Sequence, residues 1–165
     1  MSGRSLAYGI AAAVFLLDRV TKVVIRNQVA TWDTWRIIPG FFDIVHTENP
    51  GGAFSLLAEM SPAWRRGLLI GLSGCALVLV AVLLWRSAGS LWASPATRIG
   101  LALILGGALG NEYDRIVHGT VTDFLELYVS RFHWPAFNVA DSAISIGACL
   151  VLLDMLRAKR PPRTA

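Results

Sequence analysis

The chain has 165 residues, of which 55% are hydrophobic and 16% are charged, and its formal net charge is +4. This apolar content is too high for the surface of a soluble protein, so the composition indicates an integral membrane protein. The basic residues form no continuous stripe, which argues against a nucleic-acid-binding protein.

The first predicted membrane-spanning helix covers residues 6–25, close to the roughly 20 residues that a span requires. Arg4 precedes the apolar run as in a secretory signal peptide, but a charged pair follows the run and no small-residue cleavage site is evident. We therefore predict a retained helix. Asp18 and Lys22 are four residues apart, so they can form an ion pair on one helix face or position a substrate or loop.

The segment 27–66 is predicted to form short strands at the membrane surface, because its apolar residues alternate loosely with turn residues. The sequence NPGG at residues 49–52 is strong turn chemistry, since glycine permits positive φ and close backbone approach. Taken alone, this stretch is more simply an ordinary turn than a functional loop.

The second predicted span covers residues 67–85, which contain no charged side chain. It also holds Cys75, which, like Cys149, lacks a CxxC partner and a nearby His, so both thiols are expected to be packing residues. The third span covers residues 97–115. Its glycines at positions 106, 107 and 110 permit close helix packing.

Polar residues end the third span. Asn111 and Asp114 are three residues apart and share a helix face. Asp114 and its neighbour Arg115 are most simply a structural ion pair. A phosphate-binding loop is disfavoured, because no Gly-Lys-Ser/Thr follows the glycines.

The segment 116–135 is predicted to form a short amphipathic helix at the interface, with an apolar side made of Phe124, Leu127, Tyr128 and Phe132. The fourth span covers residues 136–156. Its first turns carry Asp141, where the helix dipole favours an anion.

Asp123 and Asp141 can meet if the segment between them folds back. Two carboxyl groups in different environments can have pKa values pushed apart, so that one is a base and the other an acid that together activate water. By spacing alone, however, a helix N-cap role for Asp141 and a solvated loop for Asp123 are the simpler explanations.

Four spans place the polar clusters at one membrane face, where the first and third helices end and the second and fourth begin. The opposite face receives the N-terminus, the loop 86–98 and the basic tail at residues 157–163. Because basic residues accumulate on the cytoplasmic side, the tail favours two cytoplasmic termini and a polar cluster near the periplasmic face.

Five motifs occur in the order DRVTK, NPGGAFS, GGALGNEYDR, VTDF and FNVADSAISIG. Together they resemble the lipoprotein signal peptidase (signal peptidase II) family, the bacterial aspartic proteases of the inner membrane, over nearly the whole chain. Glu112 departs from the pattern, because an apolar residue is expected there, and it would add a charge near the site. Gly52 stands where alanine is common.

The resemblance implies an all-α integral membrane protein with four transmembrane helices, a small extracytoplasmic β-cradle and a short interfacial helix, all in one domain. It implies that Asp123 and Asp141 are the catalytic dyad. Asp114 is the rival for a place in the dyad, but Arg115 beside it would hold it ionised, which suits an anchor. The implied supporting or substrate-binding residues are Asp18, Asn49, Gly51, Asn111, Asp114, Arg115, Asn138 and Ala140.

The implied activity is removal of signal peptides from diacylglyceryl-modified prolipoproteins, with cleavage on the N-terminal side of the lipidated cysteine. Two carboxyl groups and water suffice for this reaction, so no metal or cofactor is expected. The expected partners are the prolipoprotein, the lipid bilayer and globomycin-type inhibitors, with no nucleic acid.

Two alternatives follow from other uses of membrane carboxylates. A transporter or proton-conducting protein would need polar residues near mid-bilayer and some repeat symmetry, whereas here they gather at one face without a repeat. A presenilin-type protease would need a Gly-x-Gly-Asp motif, which GNEYD does not supply.

Overall fold

The computed structural model describes residues 3–51, 60–87 and 94–158. Its helices are α1 (Gly3–Gln28), α2 (Pro62–Ser87), α3 (Pro95–Val117) and α4 (Val139–Ala158). Its strands are β1 (Thr34–Ile38), β2 (Phe42–Asn49), β3 (Val121–Val129) and β4 (Phe132–His133). Three stretches with predictions lie outside the described residues: 52–59 with the end of NPGGAFS, 88–93 in the polar loop, and the tail from 159.

Helix α3 lies at the centre of the bundle and packs against the other three helices. A Cβ atom at Gly100 would lie 2.7 Å from the carbonyl oxygen of Gly147 in α4, and one at Gly106 would lie 2.5 Å from that of Ala11 in α1. Small residues therefore allow the backbones to approach closely. The predicted role of the glycines at 106, 107 and 110 is confirmed, since each meets α1 or α4.

The outer surface of the bundle is apolar. Leu79 in α2 is 59% exposed and Leu152 in α4 is 58% exposed. Within the described residues, Pro62–Ser87 and Val139–Arg157 are long and apolar enough to cross a membrane, whereas α1 and α3 carry charged side chains and do not meet the same criterion. Apolar side chains facing outwards require an apolar solvent, so this is a membrane protein.

The thiols of Cys75 and Cys149 are exposed on this surface. The prediction that they are buried packing residues is therefore wrong. They lie on the outer faces of α2 and α4, among other exposed apolar side chains.

The four strands form one antiparallel sheet in the order β1-β2-β3-β4. Strands β1 and β2 form a hairpin that turns at Gly40, whose φ of 81° lies in the left-handed region. Strand β2 pairs with β3 so that Thr47 lies opposite Asp123 and Glu48 lies opposite Thr122. The predicted small sheet in the segment after the first helix is confirmed.

The predicted interfacial helix in 116–135 is wrong, because this segment forms β3 and β4. Strand β3 is rich in β-branched and aromatic residues, and its register with β2 gives its backbone N–H and C=O groups partners outside the segment. A short apolar run is compatible with either a helix or a strand, and here the neighbouring strand decides.

The helix boundaries also differ from those predicted. Helix α1 extends beyond 6–25 at both ends, and α2 begins at Pro62 instead of residue 67. Proline is well suited to the first turn of a helix, because its missing N–H would have no partner there. Helix α4 begins at Val139, three residues later than predicted, because Asn138 caps it.

Candidate active site

The predicted site residues gather where the sheet meets the helix bundle. Strand β3 supplies Asp123 and the start of α4 supplies Asp141, while α1 and the end of α3 form the floor beneath them. Hydrogen bonds or ion pairs within the described residues link nine of the ten predicted residues: Asp18, Asn49, Gly51, Asn111, Asp114, Asp123, Asn138, Ala140 and Asp141.

Asp123 is buried in the sheet and only 3% exposed. Its Oδ1 accepts a hydrogen bond from Asn138 Nδ2 at 2.7 Å, and its Oδ2 accepts one from Asn49 Nδ2 at 3.0 Å. The simpler explanation of Asp123 as a solvated loop residue is therefore wrong.

Burial raises the pKa of Asp123 to about 6, and the nearby charge of Asp141 adds to this rise. The amide donors of Asn49 and Asn138 and the charge of Lys22 act in the opposite direction. Near neutral pH this carboxyl group can therefore hold a proton or release it, as an acid–base residue requires.

Asp141 is the third residue of α4 and belongs to its cap. Asn138 Oδ1 accepts a hydrogen bond from the backbone N–H of Asp141 at 2.9 Å, and Asp141 Oδ2 accepts one from the N–H of Asn138 at 3.2 Å. This reciprocal arrangement is a capping box, in which Asn138 is the N-cap. Assigning the N-cap to Asp141 is therefore wrong.

Asn138 connects the two carboxyl groups. Its side-chain NH2 donates to Asp123, and its backbone N–H donates to Asp141. Asn111 also donates to Asp141 Oδ1, at 2.7 Å. Asp123 and Asp141 are thus held in fixed positions by amide groups that they share, as a carboxyl pair acting on one bound group requires.

Asp114 is fully buried, and its charge is balanced by α1. Its carboxylate pairs with Lys22 and Arg26, each at 3.0 Å, and with Arg19. The predicted partner Arg115 is not among these residues, so that pairing is wrong. A carboxylate that pairs with three cations is better suited to a structural anchor than to a proton carrier. The sequence indicated the same role for Asp114, but with Arg115 as its partner.

Lys22 ties the cluster together. It pairs with Asp18 at 2.9 Å, as predicted, and donates to Asn111 Oδ1 at 2.8 Å. Asp18 Oδ1 in turn accepts a hydrogen bond from the backbone N–H of Ala140 at 3.1 Å. The first turn of α4, which carries Asp141, is therefore attached directly to α1.

Arg115 and Glu112 lie apart from this cluster. Among the described residues, the Arg115 side chain forms no hydrogen bond or ion pair, and its Nε is buried without a partner. Glu112 is buried and accepts a hydrogen bond from Ser73 of α2. Glu112 is expected from the sequence to add a charge near the site, but its carboxyl group faces α2 and accepts a hydrogen bond from Ser73 there.

Gly51 closes the turn that follows β2. It has a φ of 85°, and its N–H donates to Asn49 Oδ1 at 2.8 Å. The predicted turn is thus present at residues 49–51. It also contributes to the site, because the Asn49 NH2 group remains available to bind Asp123.

A cavity of about 390 Å³ opens beside Asp141. Its walls are mostly apolar and come from β3, the segment before α4, and α4 itself: Leu127, Trp134, Phe137, Ser142, Ser145 and Ile146. This cavity could not be predicted from the sequence, since its walls come from separate elements. An apolar group bound here would lie against the carboxyl group of Asp141.

Sequence reasoning also missed Arg26, His46, Glu48 and Thr122, which form a second polar network behind Asp123. One signal was available, because Arg26 lies four residues after Lys22 on the same face of α1. His46 and Glu48 are two residues apart on one strand, but Thr122 meets them only through the pairing of β2 with β3, which the sequence does not reveal.

Comparison with known proteins identifies relatives across nearly the whole chain. A family model described as signal peptidase (SPase) II matches residues 10–157. A lipoprotein signal peptidase of Solibacter usitatus is 50% identical over 158 residues, with 93% of this chain and 92% of the relative covered. Another, from Paraburkholderia phymatum, is 44% identical over 164 residues, with 98% and 95% covered.

Solved structures give the same result at the level of the fold. A bacterial membrane enzyme solved by the in meso method at 2.3 Å resolution superposes with a TM-score of 0.74 and 25% sequence identity, covering 98% of this chain and 95% of its own. A second such structure, at 1.9 Å resolution, has a TM-score of 0.74 and 26% identity, covering 93% and 94%.

Proposed function

Because the chain belongs to the signal peptidase II family of membrane peptidases, we propose that it removes signal peptides from diacylglyceryl-modified prolipoproteins, cleaving on the N-terminal side of the lipidated cysteine. The observation that carries the proposal is the pair Asp123 and Asp141, joined through Asn138. Two carboxyl groups held in this way can activate water without a metal or a cofactor.

In the proposed mechanism, Asp141 is the base and Asp123 is the acid. Asp141 accepts hydrogen bonds from N–H groups of Asn111 and Asn138 at the start of α4. Burial raises the pKa of Asp123, which favours its protonated form. The pair titrates as a unit, so this assignment describes its singly protonated state.

The proposed steps conserve every proton. Asp141 takes a proton from water as the water oxygen attacks the scissile carbonyl carbon, and Asp123 gives its proton to the carbonyl oxygen. The resulting diol collapses as Asp141 returns its proton to the leaving amine and Asp123 recovers one from a hydroxyl group. The dyad is thus ready for another cycle.

The cavity beside Asp141 supports a lipidated substrate. Its apolar walls can accept an acyl chain or an apolar side chain next to the reacting carbonyl group. We propose that the signal peptide enters sideways from the bilayer, since α4, which borders this cavity, exposes apolar side chains such as Ile146 and Leu152. Globomycin-type inhibitors are proposed to occupy the same cavity.

The supporting residues have separate proposed roles. Asn49, Asn111 and Asn138 hold the carboxyl groups, and Gly51 shapes the turn that presents Asn49. The remaining four, Asp18, Asp114, Ala140 and Arg115, are proposed to support the floor of the site or the bound substrate.

We propose four transmembrane helices in the bacterial inner membrane, with both termini cytoplasmic and the site near the periplasmic face. Helices α1 and α3 would span despite their charges, because those charges pair with one another inside the bundle. The sheet would then lie outside the cytoplasm, next to the dyad.

The dyad is tested by comparing Asp123→Asn and Asp141→Asn with the wild type in a gel-shift assay on a diacylglyceryl prolipoprotein. Each variant should lower cleavage by at least about 100-fold, because the pair loses an acid or a base. Glu126→Gln is the matched control, since Glu126 lies on the same strand but contacts His133 instead of the dyad.

Substantial cleavage by either aspartate variant would contradict the dyad. The lipid requirement is tested with the same prolipoprotein lacking diacylglycerol, which should not be cleaved. Globomycin should block the reaction of the wild type.

A further inference from the structure

A buried polar network lies on the opposite face of β3 from the Asp123 side chain. Successive side chains of a strand point to opposite faces, so Thr122 faces away from the dyad while Asp123 faces it. Thr122 meets Arg26 from α1 and Glu48 from β2, and Glu48 meets His46. None of these four residues has a place in the proposed reaction.

Thr122 is fully buried and is held from several sides. Its hydroxyl group accepts a hydrogen bond from Arg26 Nε at 2.7 Å and donates one to Glu48 Oε1 at 2.9 Å. Its carbonyl oxygen accepts one from Asn138 Nδ2 at 3.3 Å, the same group that binds Asp123. A shift of Thr122 would therefore move the catalytic carboxyl group and its partner together.

Glu48 is an acceptor at every contact. Its Oε2 accepts a hydrogen bond from Thr120 at 2.6 Å, and its Oε1 lies 3.8 Å from Arg26 Nε. Burial alone would raise the pKa of Glu48, but the hydroxyl groups of Thr120 and Thr122, the His46 ring and the Arg26 charge together lower it. Glu48 is therefore a carboxylate, without a proton to donate.

His46 contacts an acceptor at each ring nitrogen. The ring is only 4% exposed, its Nδ1 lies 2.7 Å from the carbonyl oxygen of Val29, and its Nε2 lies 3.1 Å from Glu48 Oε1. A carbonyl oxygen and a carboxylate both lack a proton to donate. A neutral imidazole has one N–H group, so these two hydrogen bonds require the doubly protonated ring.

We propose that His46, with both ring nitrogens protonated, holds Glu48 in place and that this pair positions Asp123 through Thr122. The proposal rests on the proposed catalytic role of Asp123. His46 and Glu48 are positioning residues, since their contacts lie behind the strand, and their effect reaches the reaction through the backbone of β3 and through Asn49, which follows Glu48 in β2 and donates to Asp123.

The charges around the His46 ring act on it in opposite directions. Glu48 attracts the imidazolium, whereas Arg26 of α1 repels it and is itself paired with Asp114 of α3. His118, after α3, feels the charges of both Arg26 and Glu48, and burial is the main cause of its lowered pKa. When His46 loses a ring proton, its contact with Glu48 or Val29 is lost and β3 loosens.

The first experiment changes the link between the pair and Asp123. Thr122→Val keeps the shape of the side chain but cannot bridge Arg26 and Glu48, so kcat should fall by about 10-fold or more while KM changes by less than about 2-fold. Thr122→Ser keeps the hydroxyl group and should restore most of kcat. An unchanged kcat in folded Thr122→Val would overturn the proposal.

The second experiment observes the proton itself. In nitrogen-15 NMR of the full chain in detergent micelles near pH 7.5, both ring nitrogens of His46 should carry protons, and Glu48→Gln should remove one of them. A single ring proton on His46 in the wild type at this pH would overturn the proposal.

A matched pair of histidine variants tests the consequence for catalysis. His46→Gln should lower kcat and change the alkaline side of its pH profile. His133→Gln should leave both unchanged, because His133 forms a similar pair with Glu126 at the exposed edge of the sheet. Identical pH profiles in all three proteins would overturn the proposed role of the His46 ring protons in positioning Asp123.

Asp123→Asn, assayed in parallel, distinguishes a failure of the catalytic dyad from a failure of the positioning network. If it retains cleavage, the dyad fails. If it abolishes cleavage while the His46, Glu48 and Thr122 variants match the wild type, the dyad stands and the positioning network is wrong.

Discussion

At the scale of single residues, position in the fold alters the chemistry of an ordinary aspartate. Asp123 lies on an inner strand, where burial opposes its ionisation. The side-chain amides of two asparagines favour its ionisation. The balance raises its pKa to about 6. Ionisation of Asp123 at neutral pH therefore costs the folded protein free energy, so the stability of the fold should depend on pH.

Asp123 should make the protein less stable as the pH rises. Its folded pKa of about 6 lies above its usual value of 3.8, so the folded chain holds this proton more tightly than the unfolded chain. The stabilisation is complete below pH 3.8 and is lost as the pH rises through 6, and it amounts to about 3 kcal/mol.

The measurement compares thermal unfolding of the wild type and Asp123→Asn in detergent micelles at several pH values from 4 to 7. The variant lacks this titrating group, so its stability relative to the wild type should increase with pH. A difference that stays constant across this range would show that the pKa of Asp123 is not raised.

At the scale of elements, α1 acts as the charged support of the site. Its Arg19, Lys22 and Arg26 all reach Asp114 on α3, and its Asp18 binds the first turn of α4. Removing one partner from a buried ion cluster leaves charges without compensation, which costs more than the pairing itself contributes.

Asp114→Asn should therefore destabilise the fold by about 3 kcal/mol or more, since three cations lose their shared carboxylate. Chemical or thermal unfolding in micelles provides the measurement. Glu126→Gln is the control, because the exposed Glu126–His133 pair should contribute less than about 1 kcal/mol.

Asp114→Asn also shows whether Asp114 is a structural anchor or a catalytic group. Some cleavage should remain in the fraction of Asp114→Asn that is folded. If the variant is as stable as the wild type yet inactive, Asp114 belongs to the reaction and its assignment as an anchor is wrong.

At the scale of the whole molecule, charged and amide side chains are buried in the interior, while many large apolar side chains lie on the surface. The buried residues include Asp18, Lys22, Asp114 and Asn138, whereas Leu72, Leu79 and Leu152 lie outside. This distribution suits a bilayer, in which the lipid accepts apolar side chains and the bundle must pair its own charges.

The two native cysteines test this arrangement. Cys75 and Cys149 lie near the middle of α2 and α4 and are exposed on the surface of the bundle. In sealed membrane vesicles, a water-soluble maleimide should leave both thiols unlabelled, because lipid covers them, whereas denaturation should expose them to the reagent.

A third cysteine supplies the positive control. Arg131→Cys lies in the exposed turn between β3 and β4, and it should be labelled in vesicles whose sheet side faces the reagent. Rapid labelling of Cys75 in the same sealed vesicles would contradict a membrane-embedded α2.

The amino-acid sequence alone predicts the helices, the membrane setting and the group of residues that meet at the site. A membrane helix satisfies its own backbone hydrogen bonds, so the length and hydropathy of one segment suffice to predict it. The order of the five motifs then pointed to the family, and nine of the ten residues chosen from them are linked in the structure.

Which residues are partners depends on the fold of the chain. It made 121–129 a strand instead of a helix, gave Asp114 three cations from α1 in place of Arg115, and brought His46 and Glu48 behind Asp123. Strand pairing and ion pairing join residues that are far apart along the chain, so these contacts become visible only when the chain has folded.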